Sequence, residues 1–379
     1  MALASMLLAE DIQLQEITLD EFLTEFLPDY KIKKQIQLEG EVINYDVAKE
    51  TGDIVIITEK TENKYTVYFF DKNGNELWKK DFFEWIDCEI SDLGDIIIIE
   101  DKNNNKIYDK HGQLYSSKKM IRTSLLPSPN GTYFYKKTGM MDGKQKEMII
   151  YDRELNKHKL DSPELENIRS MRYRFVADNR ILAVIDGWIK IFSFNNYEIE
   201  LLNKIELNRD RSWGEFYGGF HYRKTDYSEE YFGIVVYEDG LYVFDVNGNL
   251  VYRDETKYVE IKFTNNENLI VSSYGVQKKI RLINLKTNKK TNLDFSFEWS
   301  NKGFHFIGFL DNCSKINEIV FCNVITGIPQ EPQYCLILNT NKVSPNLNCI
   351  PNTNIRVLDQ NLYIFHLEDN PKIILLGDK

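Results

Sequence analysis

The stretch FFDKNGNELWKK, residues 69 to 80, fits two different structures, and the choice between them sets the architecture of the chain. Asp71, Asn73 and Asn75 fall at positions 1, 3 and 5 of a calcium-binding loop. Such a loop also needs glycine at position 6 and a bidentate glutamate at position 12. The chain has Glu76 at the first of these positions and no acidic residue at the second. The pattern therefore favours a β-hairpin, in which Asn-Gly supplies the positive φ angles of a two-residue turn.

The hairpin pattern returns along the chain. VFDVNGNLVYRD at residues 243 to 254 repeats Phe-Asp-x-Asn-Gly-Asn, and IYDKHGQLYSSKK at 107 to 119 is a looser copy. Weaker versions of the same plan, an apolar strand, a polar turn and a second strand, begin at residues 148, 189, 279 and 334. Upstream lies a second recurring element, a strand, a turn and a β-branched run, which begins at residues 48, 90, 126, 176 and 263. Four-stranded units repeated about every 40 to 55 residues predict a β-propeller.

Two of these motifs resemble the repeats of a known group of proteins. The SPNG turn at residues 128 to 131 and the FDxNGxxLW hairpin are similar to repeats of prokaryotic WD-repeat-like and quinoprotein-type β-propellers. The resemblance covers most of the chain from about residue 32. It implies the architecture alone, because no blade carries a Gly-His and Trp-Asp pair. The quinone-binding set of acidic residues, tryptophan floor and calcium ligands does not map onto these positions either.

The two chain ends indicate how the ring closes. Residues 355 to 377 offer three short strands without a fourth, and residues 30 to 40 offer one strand before the first full unit. Pairing them closes an eight-bladed ring, whereas merging residues 295 to 350 with the tail gives seven blades. We therefore predict an all-β fold, a β-propeller of seven or eight four-stranded blades at residues 31–379, preceded by an extension at residues 1–30.

The extension contains a predicted amphipathic helix, ITLDEFLTEFL, at residues 17 to 27. Thr18 suits the N-cap position, and Glu21 suits its capping-box partner three residues later. One face of this helix is apolar and consists of Phe22, Leu23, Phe26 and Leu27. We expect that face to pack on the propeller itself, with docking onto a partner protein as the alternative.

Composition and charge narrow the functional classes. Hydrophobic residues make up 42% of the chain and charged residues 28%, which predicts a soluble, packed protein without membrane insertion. The net charge of -11 works against broad nucleic-acid binding, although Arg172 and Arg174 fall on one face of an alternating strand. Five cysteines without a CxxC spacing, together with the lack of a secretory signal, favour a cytoplasmic location. Export behind a removed leader is the alternative, and disulfides could then form among Cys313, Cys322, Cys335 and Cys349.

Motifs for catalysis are missing from the sequence. It contains no Gly-x-Ser-x-Gly elbow, P-loop or dinucleotide fingerprint. The five histidines lie in surroundings typical of solvated or structural histidine. We therefore expect no cofactor, no metal site and no catalytic residue, and the sequence weighs against an enzyme.

The main irregularity is an insertion at residues 208 to 233, which lengthens one blade-to-blade connection. It is rich in tryptophan, tyrosine and arginine, the residues enriched at interface hot spots. We predict a binding surface that consists of Arg209, Arg211, Trp213, Phe216, Tyr217, Phe220, Tyr222 and Arg223. The alternative is an extended outer strand pair whose aromatic side chains cover the edge of a blade.

Three functions remain open at this point. The favoured one is a non-enzymatic scaffold that binds a protein partner through a rim or face of the ring. The second is a propeller hydrolase or lyase acting on a sugar or lactone, with Asp210, Glu215 and His221 at the channel mouth. The third is carbohydrate binding without catalysis, with the aromatic side chains as stacking platforms.

Overall fold

The computed structural model describes most of the chain. The described residues are 13–16, 18–102, 104–120, 124–136, 147–168, 171–207, 222–236, 239–256, 258–263, 267–273, 279–294, 309–316, 319–325, 334–339, 346–351, 353–358, 361–366 and 371–378. They form eight sheets, seven of four strands and one of five, which are the blades of a β-propeller. The predicted fold class is therefore confirmed, with eight as the blade number in the described part of the chain.

The strands follow the chain blade by blade. The N-terminal elements are β1 (Gln13–Glu16), α1 (Leu19–Phe26) and β2 (Tyr30–Gln37). Blade 1 contains β3 (Glu41–Val47), β4 (Ile54–Thr61), β5 (Lys64–Phe70) and β6 (Glu76–Phe82). Blade 2 contains β7 (Ile86–Ile90), β8 (Ile96–Asp101), β9 (Asn104–Asp109) and β10 (Leu114–Lys119). Blade 3 contains β11 (Leu125–Pro127), β12 (Phe134–Lys136), β13 (Met148–Tyr151) and β14 (Lys157–Leu160), followed by a 3-10 turn (Pro163–Leu165).

The second half of the ring has the same plan. Blade 4 contains β15 (Met171–Ala177), β16 (Arg180–Ile185), β17 (Trp188–Asn195) and β18 (Glu198–Glu206). Blade 5 contains β19 (Tyr222–Tyr227), β20 (Tyr231–Val236), β21 (Gly240–Asp245) and β22 (Leu250–Asp254). Blade 6 contains β23 (Tyr258–Phe263), β24 (Asn268–Ser273), β25 (Lys279–Asn284) and β26 (Lys289–Asp294). Blade 7 contains β27 (Phe309–Ile316), β28 (Ile319–Ile325), β29 (Tyr334–Asn339) and β30 (Asn346–Pro351), and blade 8 contains β31 (Thr353–Leu358), β32 (Asn361–His366), β33 (Lys372–Asp378) and β2.

The hydrophobic core lies between neighbouring blades, as strand β4 of blade 1 shows. The first four residues of this strand, at positions 54 to 57, have no exposed surface. Val55 and Ile57 pack in one cluster with Ile97 and Ile99 of blade 2. The side chains at positions 54 and 56 pack on the other side in a cluster with Ile373 of blade 8. Burial on both faces explains why β4 and β8 are continuous runs of β-branched residues.

The ring closes through its two ends. β2 pairs antiparallel with β33, from Tyr30 opposite Asp378 to Gln37 opposite Lys372. The N-terminal strand therefore completes the sheet that the three C-terminal strands begin. β1 adds to the outer edge of blade 7 by parallel pairing with β30, so it is the fifth strand of that sheet. The division of the chain into an extension and a propeller domain at residue 30 stays a prediction.

Helix α1 begins where the sequence predicted. The Glu21 N–H donates to Thr18 Oγ1 at 3.2 Å, and the Thr18 N–H donates to Glu21 Oε2 at 2.7 Å, which completes a capping box. Phe22 has no exposed surface and stacks on Phe26 with 6.0 Å between ring centres. Of the four residues on the apolar face, Phe22 and Leu27 are buried in the protein itself, and Leu23 and Phe26 are half-buried. No helix in the described part of the chain is long and apolar enough to cross a membrane.

The opening stretch forms the hairpin between β5 and β6. Asp71 Oδ1 accepts hydrogen bonds from the N–H groups of Asn73 and Asn75 at 2.9 and 2.8 Å, and Oδ2 accepts from Asn75 Nδ2 at 2.9 Å. The carboxylate thus holds the turn itself, as the hairpin interpretation requires. The prediction of two positive φ angles was wrong, because only Gly74 has one, at 76°. The Gly74 N–H instead donates to the Asp71 carbonyl at 2.8 Å, as in a type I turn followed by a left-handed residue.

Equivalent turns occur in three other blades. Asp109, Asp152 and Asp245 each accept a hydrogen bond at Oδ1 from the N–H four residues later, at 2.7 to 2.8 Å. Leu155, with φ of 61°, takes the place of the glycine in blade 3. A local carboxylate therefore holds the same hairpin in blades 1, 2, 3 and 5.

These turns also join neighbouring blades, because each one contacts the outer strand of the blade before it. Lys34 Nζ of β2 donates to Asn75 Oδ1 in the blade 1 turn at 2.8 Å. Asn203 Nδ2 of β18 donates to the carbonyl of Gly248 in the blade 5 turn at 2.8 Å. A Cβ atom on Gly112 would lie 2.8 Å from Trp78 Cγ of β6. Glycine is therefore required here both for its φ angle and for close contact between blades.

Candidate functional site

The two faces of the ring carry different connections. In each blade, the links between first and second strands and between third and fourth strands lie at one end, which we call the turn face. The links between second and third strands and between successive blades lie at the other end, which we call the loop face. Within the blades, no link on the turn face exceeds six residues. The longest links within and between successive blades, residues 137–147, 161–170, 207–221, 295–308 and 326–333, all join strands at the loop face. Apart from these, the connection 17–29 that carries α1 leads to the turn-face end of β2.

Hydrogen bonds donated by backbone N–H groups join the inner turns of blades 1 to 4 on the turn face. The Glu50 N–H of blade 1 donates to the carbonyl of Asp92 in blade 2 at 2.9 Å. The Asp92 N–H donates to the carbonyl of Pro129 in blade 3 at 2.8 Å. The Asn130 N–H donates to Asp178 Oδ1 of blade 4 at 2.9 Å. These contacts hold half of the ring together around its axis.

Side chains from opposite sides of the ring meet at this end of the channel. Lys49 Nζ of blade 1 lies 2.9 Å from Asp226 Oδ1 of blade 5, and 3.5 Å from the centre of the Tyr227 ring. The Tyr227 hydroxyl donates to Asp92 Oδ2 of blade 2 at 2.7 Å. Arg174 of blade 4 lies 5.7 Å from the same ring. We call Lys49, Asp92, Arg174, Asp226 and Tyr227 the axial cluster.

Asp226 is the most strongly held member of this cluster. Its Oδ2 accepts a hydrogen bond from the Phe263 N–H at 2.7 Å and lies 3.9 Å from Lys262 Nζ. Burial favours the neutral acid, but the charges of Lys262 and Lys49 and these hydrogen bonds outweigh it. The pKa of Asp226 is therefore held well below its usual value. The carboxylate links blades 1, 5 and 6.

Other acidic groups around the cluster shift in the opposite direction. Burial raises the pKa of Asp92, although Lys49 and the Tyr227 hydroxyl oppose that shift. Burial raises the pKa of Tyr227 well above its usual value, and the charge of Asp92 adds to the effect. Burial also raises the pKa values of Glu50 and Asp178. The carboxylates nearest the axis thus differ in how readily they bind a proton.

The contacts of the axial cluster hold the ring of blades closed at its axis. Its members pair with one another across the ring, so the polar groups neutralise each other instead of converging on an empty position. In the residues whose placement is described, no group of three or more His, Cys, Asp or Glu side chains is arranged to hold a metal ion. Arg172 and Arg174, predicted on one face of a strand, lie on the innermost strand of blade 4, β15.

The loop face presents exposed aromatic side chains. Phe83 and Trp85 lie in the link between β6 and β7, and their exposed fractions are 74% and 56%. These are the highest values among the large apolar side chains of the described residues. A pocket between blades 2 and 3 is lined by Asp87, Glu89 and Glu100 together with Cys88, Ile98, Ser124 and Leu125.

Most of the predicted binding surface lies outside the described residues. This is true of Arg209, Arg211, Trp213, Phe216, Tyr217 and Phe220, and also of Asp210, Glu215 and His221. Tyr222 and Arg223 lie in β19, the innermost strand of blade 5. The structure corrects the extent of the insertion, because β19 and β20 begin at Tyr222 and Tyr231 and belong to the regular blade.

Sequence analysis missed the axial cluster. Its members are separated by as many as 178 positions, as for Lys49 and Tyr227, and no local spacing connects them. The available signal was a polar residue near the end of an innermost strand: Asp226 and Tyr227 end β19, and Lys49 and Asp92 lie in the turns after β3 and β7. That pattern is also typical of ordinary turn residues, so it does not single out a cluster.

Comparisons with known proteins support the fold. No protein-family model matches the chain, and no curated protein matches its sequence. The structure of BamB from Moraxella catarrhalis is similar, with a TM-score of 0.56 and 14% identity over 92% of this chain and 98% of that one. The WD40 domain of SCAP from fission yeast gives 0.51 and 9% over 92% and 98%. The dihydro-heme d1 dehydrogenase NirN in complex with DHE gives 0.52 and 9% over 92% and 79%. At these identities the likeness shows a WD-repeat-like or quinoprotein-type propeller fold alone.

Proposed function

We propose that this protein is a non-enzymatic scaffold that binds a protein partner through the loop face of its propeller. The insertion at residues 208 to 233 supplies part of that surface, through Arg209, Arg211, Trp213, Phe216, Tyr217, Phe220, Tyr222 and Arg223. Similarity to BamB and to a WD40 domain supports the propeller fold on which this proposal rests.

The observation that carries the proposal is the asymmetry between the two faces. Every link within a blade on the turn face is short, whereas the long links within and between successive blades, 137–147, 161–170, 207–221, 295–308 and 326–333, all leave from strand ends on the loop face. Long connections on a rigid scaffold are where binding residues concentrate, because they vary without disturbing the core. The first part of the predicted insertion, residues 208–221, falls in one of these links, between β18 and β19.

The turn face is less suited to a partner. Its inner turns are bonded to one another, and its hairpin turns contact the outer strands of neighbouring blades. The axial cluster occupies the channel at this end. A partner at this face would meet groups that already hold the ring together.

The test compares a loop-face variant with a turn-face variant. The loop-face variant carries Arg211→Ala, Trp213→Ala and Tyr217→Ala. The control carries Leu250→Ala and Val251→Ala, two exposed apolar residues just after a hairpin turn. Circular dichroism first establishes that both variants keep the wild-type fold.

A partner is captured with the wild-type protein from a lysate of the source organism, identified by mass spectrometry and purified. Titration calorimetry then measures its affinity for all three proteins. We expect the loop-face variant to lose at least about tenfold in affinity and the control to lose less than about twofold. Equal affinities in all three would refute binding through the insertion. Turnover of a sugar or lactone by the wild-type protein, lost in the loop-face variant, would refute the non-enzymatic function.

A further inference from the structure

We propose that Asn73 and Asn247 are sites of spontaneous deamidation, at which opening of the hairpin turn sets the rate. The chain contains three Asn-Gly pairs, at residues 73–74, 130–131 and 247–248. In such a pair the glycine nitrogen can attack the asparagine side chain, because glycine has no Cβ atom to block the approach. This inference concerns the turn face and is independent of the proposed scaffold function.

The reaction needs no reagent besides water. The Gly74 nitrogen forms a bond with Asn73 Cγ while the bond from Cγ to Nδ2 breaks, and the glycine N–H proton leaves with the side-chain nitrogen as ammonia. Water then opens the resulting succinimide at one of its two carbonyl groups. The product is aspartate or isoaspartate, so each event replaces a neutral amide with a carboxylate and adds a negative charge.

The two reactive pairs lie in equivalent hairpin turns, between the third and fourth strands of blades 1 and 5. Asn73 and Asn247 are exposed, and neither side chain makes a hydrogen bond to any of the residues that the structure describes. Each side chain is therefore free to rotate towards the following glycine. The equivalent turns of blades 2 and 3 have His111 and Glu154 at this position, which carry no side-chain amide.

The folded turn holds the attacking nitrogen. The Gly74 N–H donates to the Asp71 carbonyl at 2.8 Å, and the Asp71 carboxylate closes the same turn through the N–H groups of Asn73 and Asn75. The turn of blade 5 repeats these contacts around Asp245. Attack therefore requires local opening of the turn. Its rate is proportional to the fraction of molecules in which the turn is open.

The third pair lies in an inner turn with more contacts. Asn130 Oδ1 accepts hydrogen bonds from Ser128 Oγ at 3.1 Å and from the Thr132 N–H at 2.9 Å, so its side chain is engaged. The Asn130 N–H donates to Asp178 Oδ1 of blade 4, and the Pro129 carbonyl accepts from blade 2. Opening this turn breaks contacts among blades 2, 3 and 4. We therefore expect Asn130 to resist deamidation in the folded protein.

Deamidation at position 73 acts on the strands that close the ring. A Cβ atom on Gly74 would lie 2.7 Å from Leu375 Cδ1 of β33 and 2.8 Å from Ile36 Cδ1 of β2, so this glycine fits closely against both strands. Lys34 Nζ of β2 also donates to Asn75 Oδ1 at 2.8 Å. Isoaspartate lengthens the main chain directly before Gly74 and displaces these contacts, which weakens the junction between blades 8 and 1.

The test follows deamidation at all three pairs in the full-length protein. The protein is incubated in mildly alkaline buffer below its unfolding transition and, in parallel, in concentrated urea. Samples are digested at acidic pH, where succinimide formation is slow, and mass spectrometry measures the modified fraction of each pair. The ratio of the folded to the unfolded rate separates the effect of structure from that of the neighbouring sequence. Asp71→Ala and Asp245→Ala variants are treated in the same way, after circular dichroism confirms their fold.

We expect similar rates at the three pairs in urea. In the folded protein, Asn73 and Asn247 should react at least about tenfold faster than Asn130. Asp71→Ala should speed the reaction at Asn73 at least about threefold and leave Asn247 unchanged, and Asp245→Ala should do the reverse. Each variant is thus the control for the other. Equal folded-state rates at the three pairs, or no site-specific acceleration in either variant, would overturn the proposal. The wild-type rates decide the outcome even if neither variant folds.

A second measurement tests the effect on ring closure. An Asn247→Gln variant confines the fast reaction to position 73, and ion exchange separates the modified protein by its added charge. Peptide mapping confirms the position and the presence of isoaspartate. We expect the modified protein to unfold at a lower urea concentration than the unmodified protein. Equal unfolding midpoints would show that the turn at Gly74 tolerates the longer main chain, and the proposed effect on ring closure would then be wrong.

Discussion

Replacing Asp226 with asparagine should destabilise the propeller through its axis. The carboxylate receives Lys49 Nζ at 2.9 Å, the Phe263 N–H at 2.7 Å and Lys262 Nζ at 3.9 Å. Asparagine retains one oxygen for the Phe263 N–H, but it turns an NH2 group towards a lysine ammonium. Contacts among blades 1, 5 and 6 are weakened together.

The magnitude follows from the burial of the three side chains. Removing one partner of a buried ion pair costs about 3–5 kcal/mol when the other charge stays buried. The Lys49 and Lys262 side chains are each 28% exposed, so they regain part of their hydration when Asp226 is replaced. We therefore expect Asp226→Asn to lower the free energy of unfolding by about 2–3 kcal/mol.

The pH dependence of this difference has a defined sign. The folded-state pKa of Asp226 lies below its unfolded value, so its stabilisation is complete above the unfolded pKa, which is about 3.9. That stabilisation is lost as the pH falls through the folded-state pKa. The difference between wild type and Asp226→Asn should therefore stay constant from about pH 7 to 5 and shrink below about pH 4. The raised pKa of Asp92 acts in both proteins and largely cancels.

Urea unfolding, followed by circular dichroism and tryptophan fluorescence, measures the effect. Lys49→Met should cost about 1–2 kcal/mol, because Asp226 keeps Lys262 and the Phe263 N–H. The double variant should reveal a coupling of about 1–2 kcal/mol between Lys49 and Asp226. The matched control is Asp161→Asn. The Asp161 side chain is 85% exposed, and its Oδ1 lies 3.8 Å from Lys159 Nζ, so this ion pair is long and lies at the surface. A loss for Asp226→Asn no larger than that of the control, or a coupling near zero, would refute the structural role of the axial cluster.

Three further predictions concern the hairpin turns and the helix. Gly74→Ala should destabilise the protein by about 2 kcal/mol, because the new Cβ lies 2.7 Å from Leu375 Cδ1. Gly248→Ala should cost only about 1 kcal/mol, because its new Cβ lies 3.1 Å from Ile191 Cγ2. The reverse order in urea unfolding would contradict this reasoning. Phe22→Ala should cost about 3 kcal/mol in thermal unfolding and Phe26→Ala clearly less, since only Phe22 is fully buried. Asp71→Ala should lower the free energy of unfolding by about 1 kcal/mol. Millimolar calcium should leave the unfolding midpoint of the wild-type protein unchanged. A calcium-dependent rise of that midpoint would restore the calcium-loop interpretation.

Sequence reasoning located most of the regular structure. All seven predicted hairpins, beginning near residues 69, 107, 148, 189, 243, 279 and 334, join the third and fourth strands of blades 1 to 7. It erred in the details of the turn at Asp71 and in the extent of the insertion. The turn geometry depends on a carboxylate that binds backbone N–H groups, a role that Asn-Gly alone does not indicate.

Elements with local interactions could be read directly from the sequence. The hairpin turns depend on contacts two to four residues apart, as from Asp71 to Asn73 and Asn75, and the capping box depends on Thr18 and Glu21. Alternation and β-branched runs indicated the strands, because burial on one or both faces imposes those patterns. Such signals act within a few residues and therefore remain visible in the chain.

The meeting of distant residues, by contrast, depends on the closed ring. Lys49 and Asp226 are 177 positions apart, and Tyr227 and Asp92 are 135 apart. Their contacts exist because eight blades close into a ring that places blades 1 and 2 across the axis from blade 5. The structure also shows which residues of the link between blades 1 and 2 are exposed. Phe82 and Ile86 pack in the core between these blades, whereas Phe83 and Trp85 are exposed. Ring closure sets these distances, and no spacing along the chain encodes them.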